Sequence, residues 1–215
     1  MKARAVSGER LVFIDLETVL VGEERKIIQI AAIAVGQDLV PIESFEVKLR
    51  IVDKVIPLSY LSREPTIWKR LGRQPNDAAQ RLAVFLRRHA TIDRTSRIGK
   101  TFRVARLVAH NAEFDGPMLR DLFDSCGLFL PASSLVFCTL QRAYWFFHEN
   151  QAVSPPPNYK LGTLCEYFDV PLSADEAHDA SSDVLATLNV YRSLSQFKRQ
   201  RNLRCLSNVT SLEAV

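Results

Sequence analysis

Two acids one residue apart, Asp15 and Glu17, sit in the stretch Phe13-Ile14-Asp15-Leu16-Glu17-Thr18. In an extended strand side chains alternate faces, so both carboxylates point one way and Leu16 points the other. Like charges on one face of a core strand repel, and burying them is costly without compensation. A Lys or Arg could supply that compensation, and so could a metal ion. A solvated strand end would need neither. A second group is Ala109-His110-Asn111-Ala112-Glu113-Phe114-Asp115. Asp115 falls at a turn after an apolar strand, where α/β sheets build their sites. It could equally serve as a helix N-cap. A third group is His178-Asp179-Ala180-Ser181-Ser182-Asp183. Asp179 suits the N-cap of a last helix, which leaves His178 on the entering loop and Asp183 in the first turns. Residues five apart on one helix lie ~140° apart around the axis, so both reach one site only because His178 precedes the helix. Alone, His178 would be an ordinary surface histidine; His89 and His148 read as surface residues.

The elements that must position these groups follow from periodicity. Residues 11–17 read as a first strand, and residues 27–35, apolar except for Gln29, as a buried one. The polar segment from Val21 to Lys26, with Gly22, is the turn between them. Residues 44–50 alternate Phe45, Val47 and Leu49 against Glu46, Lys48 and Arg50, a half-buried strand. The chain thus begins as an antiparallel meander. A short helix is expected over 66–71. Asn76 is placed to cap a second that runs to about His89, with Ala79, Leu82, Ala83, Phe85 and Leu86 inward. Residues 90–102 read as a polar loop and 104–109 as the fourth strand. A helix then starts near Pro117, which suits a first turn, and stops at Gly127. Residues 134–139 form a fifth strand, followed by helices over 140–148 and 161–168. A long helix from Ala180 to near Gln196 ends the domain. Strands first, then alternating helix and strand, define one α/β domain with a mixed sheet over residues 1–196.

The 215 residues carry a net charge of +4 with 47% apolar and 24% charged side chains, an ordinary globular composition compatible with a polyanionic partner. No run reaches the ~20 apolar residues of a membrane span, and Met1 to Arg10 has no signal-peptide core. The four cysteines, Cys126, Cys138, Cys165 and Cys205, are widely spaced and read as reduced cytosolic thiols, so a cytoplasmic location and no membrane partner are expected. Arg87, Arg88, Arg94, Arg97, Lys100, Arg103 and Arg106 cluster against the single acid Asp93. They are either a solvated loop with its flanks or a nucleic-acid contact. The basic tail, residues 197–215 with Lys198, Arg199, Arg201 and Arg204, is either a helix end whose cations suit the dipole or a nucleic-acid or partner contact.

The three groups, in this order, resemble the exonuclease motifs of the DEDDh, or DnaQ-like, family of 3′→5′ exonucleases, which includes the proofreading subunit of bacterial replicative polymerase. The resemblance spans about residues 11–195. Histidine five residues before the last aspartate fits the histidine branch; the tyrosine branch would want Tyr at 179, where this chain has Asp. The resemblance implies a ribonuclease H-like fold, a five-stranded mixed sheet flanked by helices. It implies that Asp15, Glu17, Asp115 and Asp183 bind metal, that His178 is the general base, and that Thr18, His110, Asn111 and Phe114 line the substrate groove. Two departures stand out. Many relatives have Thr-Gly where this chain reads Thr18-Val19-Leu20, and many carry Glu where it has Gln29.

Four converging carboxylates cannot all stay ionised without cations. Two divalent ions, Mg²⁺ or Mn²⁺ given the oxygen ligands, would satisfy them and hydrolyse a phosphodiester. His178 could accept a proton from water near neutral pH. The expected function is metal-dependent 3′→5′ release of nucleotides from single-stranded DNA ends, in proofreading or repair, with a DNA polymerase or other replication or repair protein as a candidate partner. The alternatives are an exoribonuclease of the same family and a non-catalytic module that binds nucleic acid or a polymerase.

Overall fold

The computed structural model describes residues 8–50, 72–172 and 179–212, with residues from 197 on described by their backbone alone. The helix expected over 66–71 and the histidine at 178 lie outside the described residues. Strands β1 (Leu11–Val21), β2 (Glu24–Val35) and β3 (Pro41–Lys48) form the antiparallel meander, all longer than expected at one or both ends. The turn between β1 and β2 shrinks to Gly22-Glu23, with Gly22 at φ 64°, a backbone region that glycine enters at little cost. Helix α1 spans Pro75–Arg88. It is followed by β4 (Ile92–Thr95), β5 (Thr101–Val104) and β6 (Arg106–Ala109). Helix α2 (Ala112–Ser125), strand β7 (Phe137–Cys138) and helices α3 (Thr139–Glu149), α4 (Leu161–Tyr167) and α5 (Ala180–Leu212) complete the chain. The main sheet has five strands in the order β3-β2-β1-β6-β7, and β6 and β7 run parallel to β1. This is the expected five-stranded mixed sheet flanked by helices.

The faces of β1 explain how the layers assemble. Val12, Ile14 and Leu16 pack with Leu82, Phe85 and Leu86 of α1 and Leu119 and Phe123 of α2. Phe13 points the other way, into a cluster with Ala31, Ile33, Val108 and Ala180, Val184 and Leu188 of α5. Asp15 and Glu17 share the Phe13 face by strand alternation, so the same helix that covers that face brings Asp183 over them.

Several local expectations are corrected. Residues 90–102 are not a loop: β4 and β5 pair as an antiparallel hairpin. Its mostly exposed residues leave no apolar alternation to read, and Gly99 at φ 79° closes the tip. Helix α2 begins at Ala112 and Pro117 lies inside it. The N–H missing at a proline would have met the carbonyl of Glu113, in the first turn of the helix, where little else depends on it. Asn76 does not cap α1, whose N-cap is Gln74. Its amide oxygen accepts from Gln80 Nε2 at 2.6 Å instead. The fifth strand is cut to two residues. A bridge at Ala132 pairs with Ala105, and Ser133 donates its N–H to the Ala105 carbonyl at 2.8 Å before β7 begins. Helix α5 continues past Gln196 to Leu212. Among the described residues no helix is long and apolar enough to cross a membrane.

His89 is also corrected, from surface to core: it is 2% exposed. Its Nδ1 accepts from Arg10 Nη1 at 3.4 Å and its Nε2 donates to Glu43 Oε2 at 2.8 Å. These two partners fix which nitrogen carries the proton. His148 is exposed as expected.

Candidate active site

The carboxylates of Asp15, Glu17 and Asp183 offer oxygen atoms that all lie within 4.8 Å of one another. β1 supplies the first two from one face of one strand, and the first turn of α5 supplies the third. The strand bends at this point. Glu17 pairs with Gln29 but Thr18 pairs with Ile27, so Ile28 is the extra residue of a β-bulge. Bulges re-aim side chains and intensify twist, and this one lies immediately beyond the acid pair.

Asp115 enters from α2. It is 3% exposed, and burial pushes its carboxyl up to about 7, with the charge of Glu17 adding to the rise. The N–H of Leu16 and its own backbone N–H donate to it and act the opposite way. Asp15 is held well above the usual carboxylate range. Burial is the main cause, and Asp115, Asp183, Glu17 and Asp179 all add to it in that order. Those interactions place Asp115 in the same electrostatic neighbourhood as the β1 and α5 acids.

Asp179 caps α5 as expected. Its Oδ2 accepts from Ser182 N at 3.2 Å, and its carbonyl accepts from Asp183 N at 2.9 Å.

The expected groove residues divide. Asn111 is exposed and adopts φ 63°, ψ 54°, a left-handed geometry that Asn tolerates better than most residues, and it opens α2. Phe114 is half-buried under the guanidinium of Arg25, 5.6 Å from the ring centre. The same Arg25 donates to Thr18 Oγ1 at 3.3 Å. His110 is engaged inside the protein at both nitrogens. Nε2 donates to the Tyr159 carbonyl at 3.1 Å and Nδ1 meets Thr139 Oγ1 at 2.8 Å. Burial pushes its pKa down to about 4, so the ring is neutral at physiological pH.

Sequence reasoning missed two residues here. Arg25 stands across the β1–β2 hairpin from Leu20, and its signal was the register set by a two-residue turn. A cavity of about 390 Å³ opens beside it, lined by Lys26, Leu49, Met118 and Leu122 among others. Gln29 was visible as the one polar residue in an apolar run, but its partners lie far away in sequence.

All the donors in this cluster are carboxylate oxygens, drawn together and partly buried, and that set suits a hard divalent cation. A mixed five-stranded sheet flanked by helices is the ribonuclease H-like fold, and the acid cluster lies against its central strand. Residues 12–191 match the family model RNase_T, described as Exonuclease. The chain belongs to this exonuclease family, whose members are nucleases that hydrolyse phosphodiester bonds. No curated protein matches the sequence significantly. Among solved structures, exonuclease I matches with a TM-score of 0.67 and 17% identity over 87% of this chain and 41% of its own. A zinc-bound complex of Escherichia coli exonuclease I with single-stranded DNA gives 0.67 and 18% over 94% of this chain and 43% of its own. The complex of the E. coli enzyme with a 5cy-dA13 oligonucleotide gives 0.63 and 17%, over 87% and 40%. The chain therefore spans less than half the length of these structures, and the likeness is one of fold.

Proposed function

We propose that the protein is a metal-dependent 3′→5′ exonuclease that releases nucleotides from single-stranded DNA ends. The observation that carries this reading is the convergence of Asp15, Glu17 and Asp183 within 4.8 Å, in a chain of the exonuclease family. Asp15, Glu17, Asp115 and Asp183 are the residues that would hold divalent ions, Mg²⁺ or Mn²⁺. Bound there, such ions would supply charge stabilisation to the phosphodiester undergoing hydrolysis and would lower the pKa of water.

The chain's own residues do the rest. Asp15 and Asp115 must give up protons as the ions bind, because burial and mutual repulsion favour their neutral forms. Leu16 N–H orients the Asp115 carboxylate. His178 accepts a proton from the attacking water, a role that rests on its place in the third motif. Thr18, Asn111 and Phe114 receive the 3′-terminal nucleotide, with a base against the Phe114 ring. His110 acts from within the protein, tying the end of β6 to Thr139 and Tyr159. Arg25, above Phe114, faces the path of the backbone phosphates. The preference for DNA draws on the single-stranded DNA and oligonucleotide complexes of the E. coli enzyme.

The test is digestion of single-stranded DNA and RNA, labelled at either end, with Mg²⁺, with Mn²⁺ and with chelator. Mononucleotides should leave from the 3′ end of DNA, with metal only. Faster loss from RNA would move the assignment to an exoribonuclease, and no release from either polymer under any metal would overturn the nuclease reading.

A further inference from the structure

Gln29 is 2% exposed in the middle of the sheet, opposite Glu17 in the β1–β2 register. Its amide is fully used. Nε2 donates to Asp179 Oδ1 at 2.9 Å and to Glu46 Oε1 at 2.9 Å. Oε1 accepts from Ala180 N at 3.4 Å. Carboxylates only accept and a backbone N–H only donates, so these partners leave one orientation for the amide. The bonds cross from β2 to the residue that caps α5. Asp179 in turn accepts from the N–H groups of Ser182 and Asp183. An unbroken chain of directional bonds therefore runs from Gln29 through Asp179 to Asp183.

We infer that Gln29 is a positioning residue: it fixes the rotation and axial register of the first turn of α5, and so carries Asp183 to Asp15 and Glu17. The inference rests on the proposed function of those acids. Ala180, Val184 and Leu188 hold the helix on the sheet through apolar contacts with Phe13, Ala31 and Ile33. Such contacts are non-directional and tolerate small rotations. The amide supplies the direction. It also joins two carboxylates, Glu46 and Asp179, without adding a charge beside an acid cluster that already repels itself. A glutamate at this position could donate to only one of them, and only while protonated. A displacement on the order of 1 Å at a reacting group costs about 100-fold in rate, so a loosened first turn matters far more to turnover than to folding.

The test compares the full chain with Gln29→Met, Gln29→Glu and the double variant Gln29→Glu/Asp179→Asn. In the double variant the amide and the carboxylate trade places. The amide now on the helix cap keeps its oxygen for Ser182 N and donates its N–H to the carboxylate now on β2. That carboxylate also accepts from Ala180 N, while exposed Glu46 retains Lys48 nearby. Five quantities are measured: kcat and KM on labelled single-stranded DNA with Mn²⁺, calorimetric Mn²⁺ affinity, amide exchange at Ala180–Asp183, and Tm.

Both single variants should lose ~10- to 100-fold in kcat while KM changes by less than about twofold. Both should bind Mn²⁺ more weakly and exchange faster at the start of α5 alone. The double variant should recover most of the kcat, the Mn²⁺ affinity and the protection. Single variants that keep parental kcat and protection would overturn the inference. So would faster exchange across the whole sheet with kcat and KM both impaired and no recovery in the double variant, the mark of a purely structural residue. An inactive parent would overturn the nuclease reading alone, and the exchange and Mn²⁺-binding arms would still decide the role of Gln29.

Discussion

Two clusters of ionisable side chains lie against this sheet, and they are built on opposite principles. In the first, Glu43 accepts from Arg88 Nη2 at 2.6 Å and from His89 Nε2 at 2.8 Å, and Arg10 donates to the other nitrogen of the same ring. The acid of that cluster meets donors, and charge and polarity are balanced within the fold. In the second, burial and four neighbouring carboxylates all push the Asp15 proton the same way, towards being kept. On the proposed function that balance comes from bound cations, and without them the buried carboxyls keep their protons. Buried groups that serve structure are satisfied by the chain itself, whereas groups that serve chemistry are held in an arrangement that costs stability until a ligand arrives.

Substitutions separate the two. The largest effect is expected on activity at the acid cluster. Asp15→Ala or Asp183→Ala should cut nucleotide release ~10³-fold or more, the several kcal/mol that metal-borne charge stabilisation supplies, with the circular dichroism spectrum unchanged. A folded Asp15→Ala protein with near-parental turnover would break the contrast at its functional end. At the structural end, His89→Ala removes a buried ring and a donor to Glu43. It should cost roughly 2–4 kcal/mol of unfolding free energy in a denaturant titration, while kcat per folded molecule stays within about twofold of the parent.

Asp115 sharpens the comparison through pH. Its carboxyl sits at about 7 in the fold against an ordinary value of 3.8, so the folded state holds the proton more tightly than the unfolded chain does. The metal-free protein should therefore lose stability as pH rises from about 4 to about 7, and Asp115→Asn should flatten that decline in chelator. Mn²⁺ affinity of the parent should climb over the same window, since binding expels the proton. A metal-free stability that rises from about pH 4 to about 7, the behaviour of an acid paired with a cation, would contradict the account.

The smallest effect belongs to Arg25, which is exposed and interacts with Phe114 at 5.6 Å. Arg25→Ala should weaken single-stranded DNA binding only a few-fold and reduce the slope of log K against log salt by ~1, the signature of one lost phosphate contact. An unchanged slope would take Arg25 off the substrate path.

These two clusters also differ in how far the sequence revealed them. Asp15 and Glu17 could be placed on one face because strand alternation is a local rule, and Asp179 could be named as a cap because capping is decided within one turn. The order of strands and helices followed from periodicity for the same reason. His89 could not be moved to the core in advance. Its burial depends on Glu43 and Arg10, 46 and 79 residues away, and a lone histidine carries no periodic signal of such partners. Gln29 was legible as an anomaly and not as a device, since its partner Asp179 is 150 residues distant. The β4–β5 hairpin was missed because strands that stand mostly in solvent need no apolar alternation. The early start of α2 was hidden by Pro117, read as a first-turn residue when the helix had already turned once.

The claim that the acid cluster is compensated from outside the chain has one direct test, a thermal melt of the parent and of Asp15→Asn, each in chelator and in Mn²⁺. The parent should melt higher in Mn²⁺ than in chelator. Asp15→Asn should melt above the parent in chelator, because the parent must hold a proton on Asp15 that the unfolded chain releases or else ionise it among like charges, and should gain less from Mn²⁺. A mutant that melts below the parent in chelator, together with a parent indifferent to Mn²⁺, would place the acids in internal ion pairs and contradict the account.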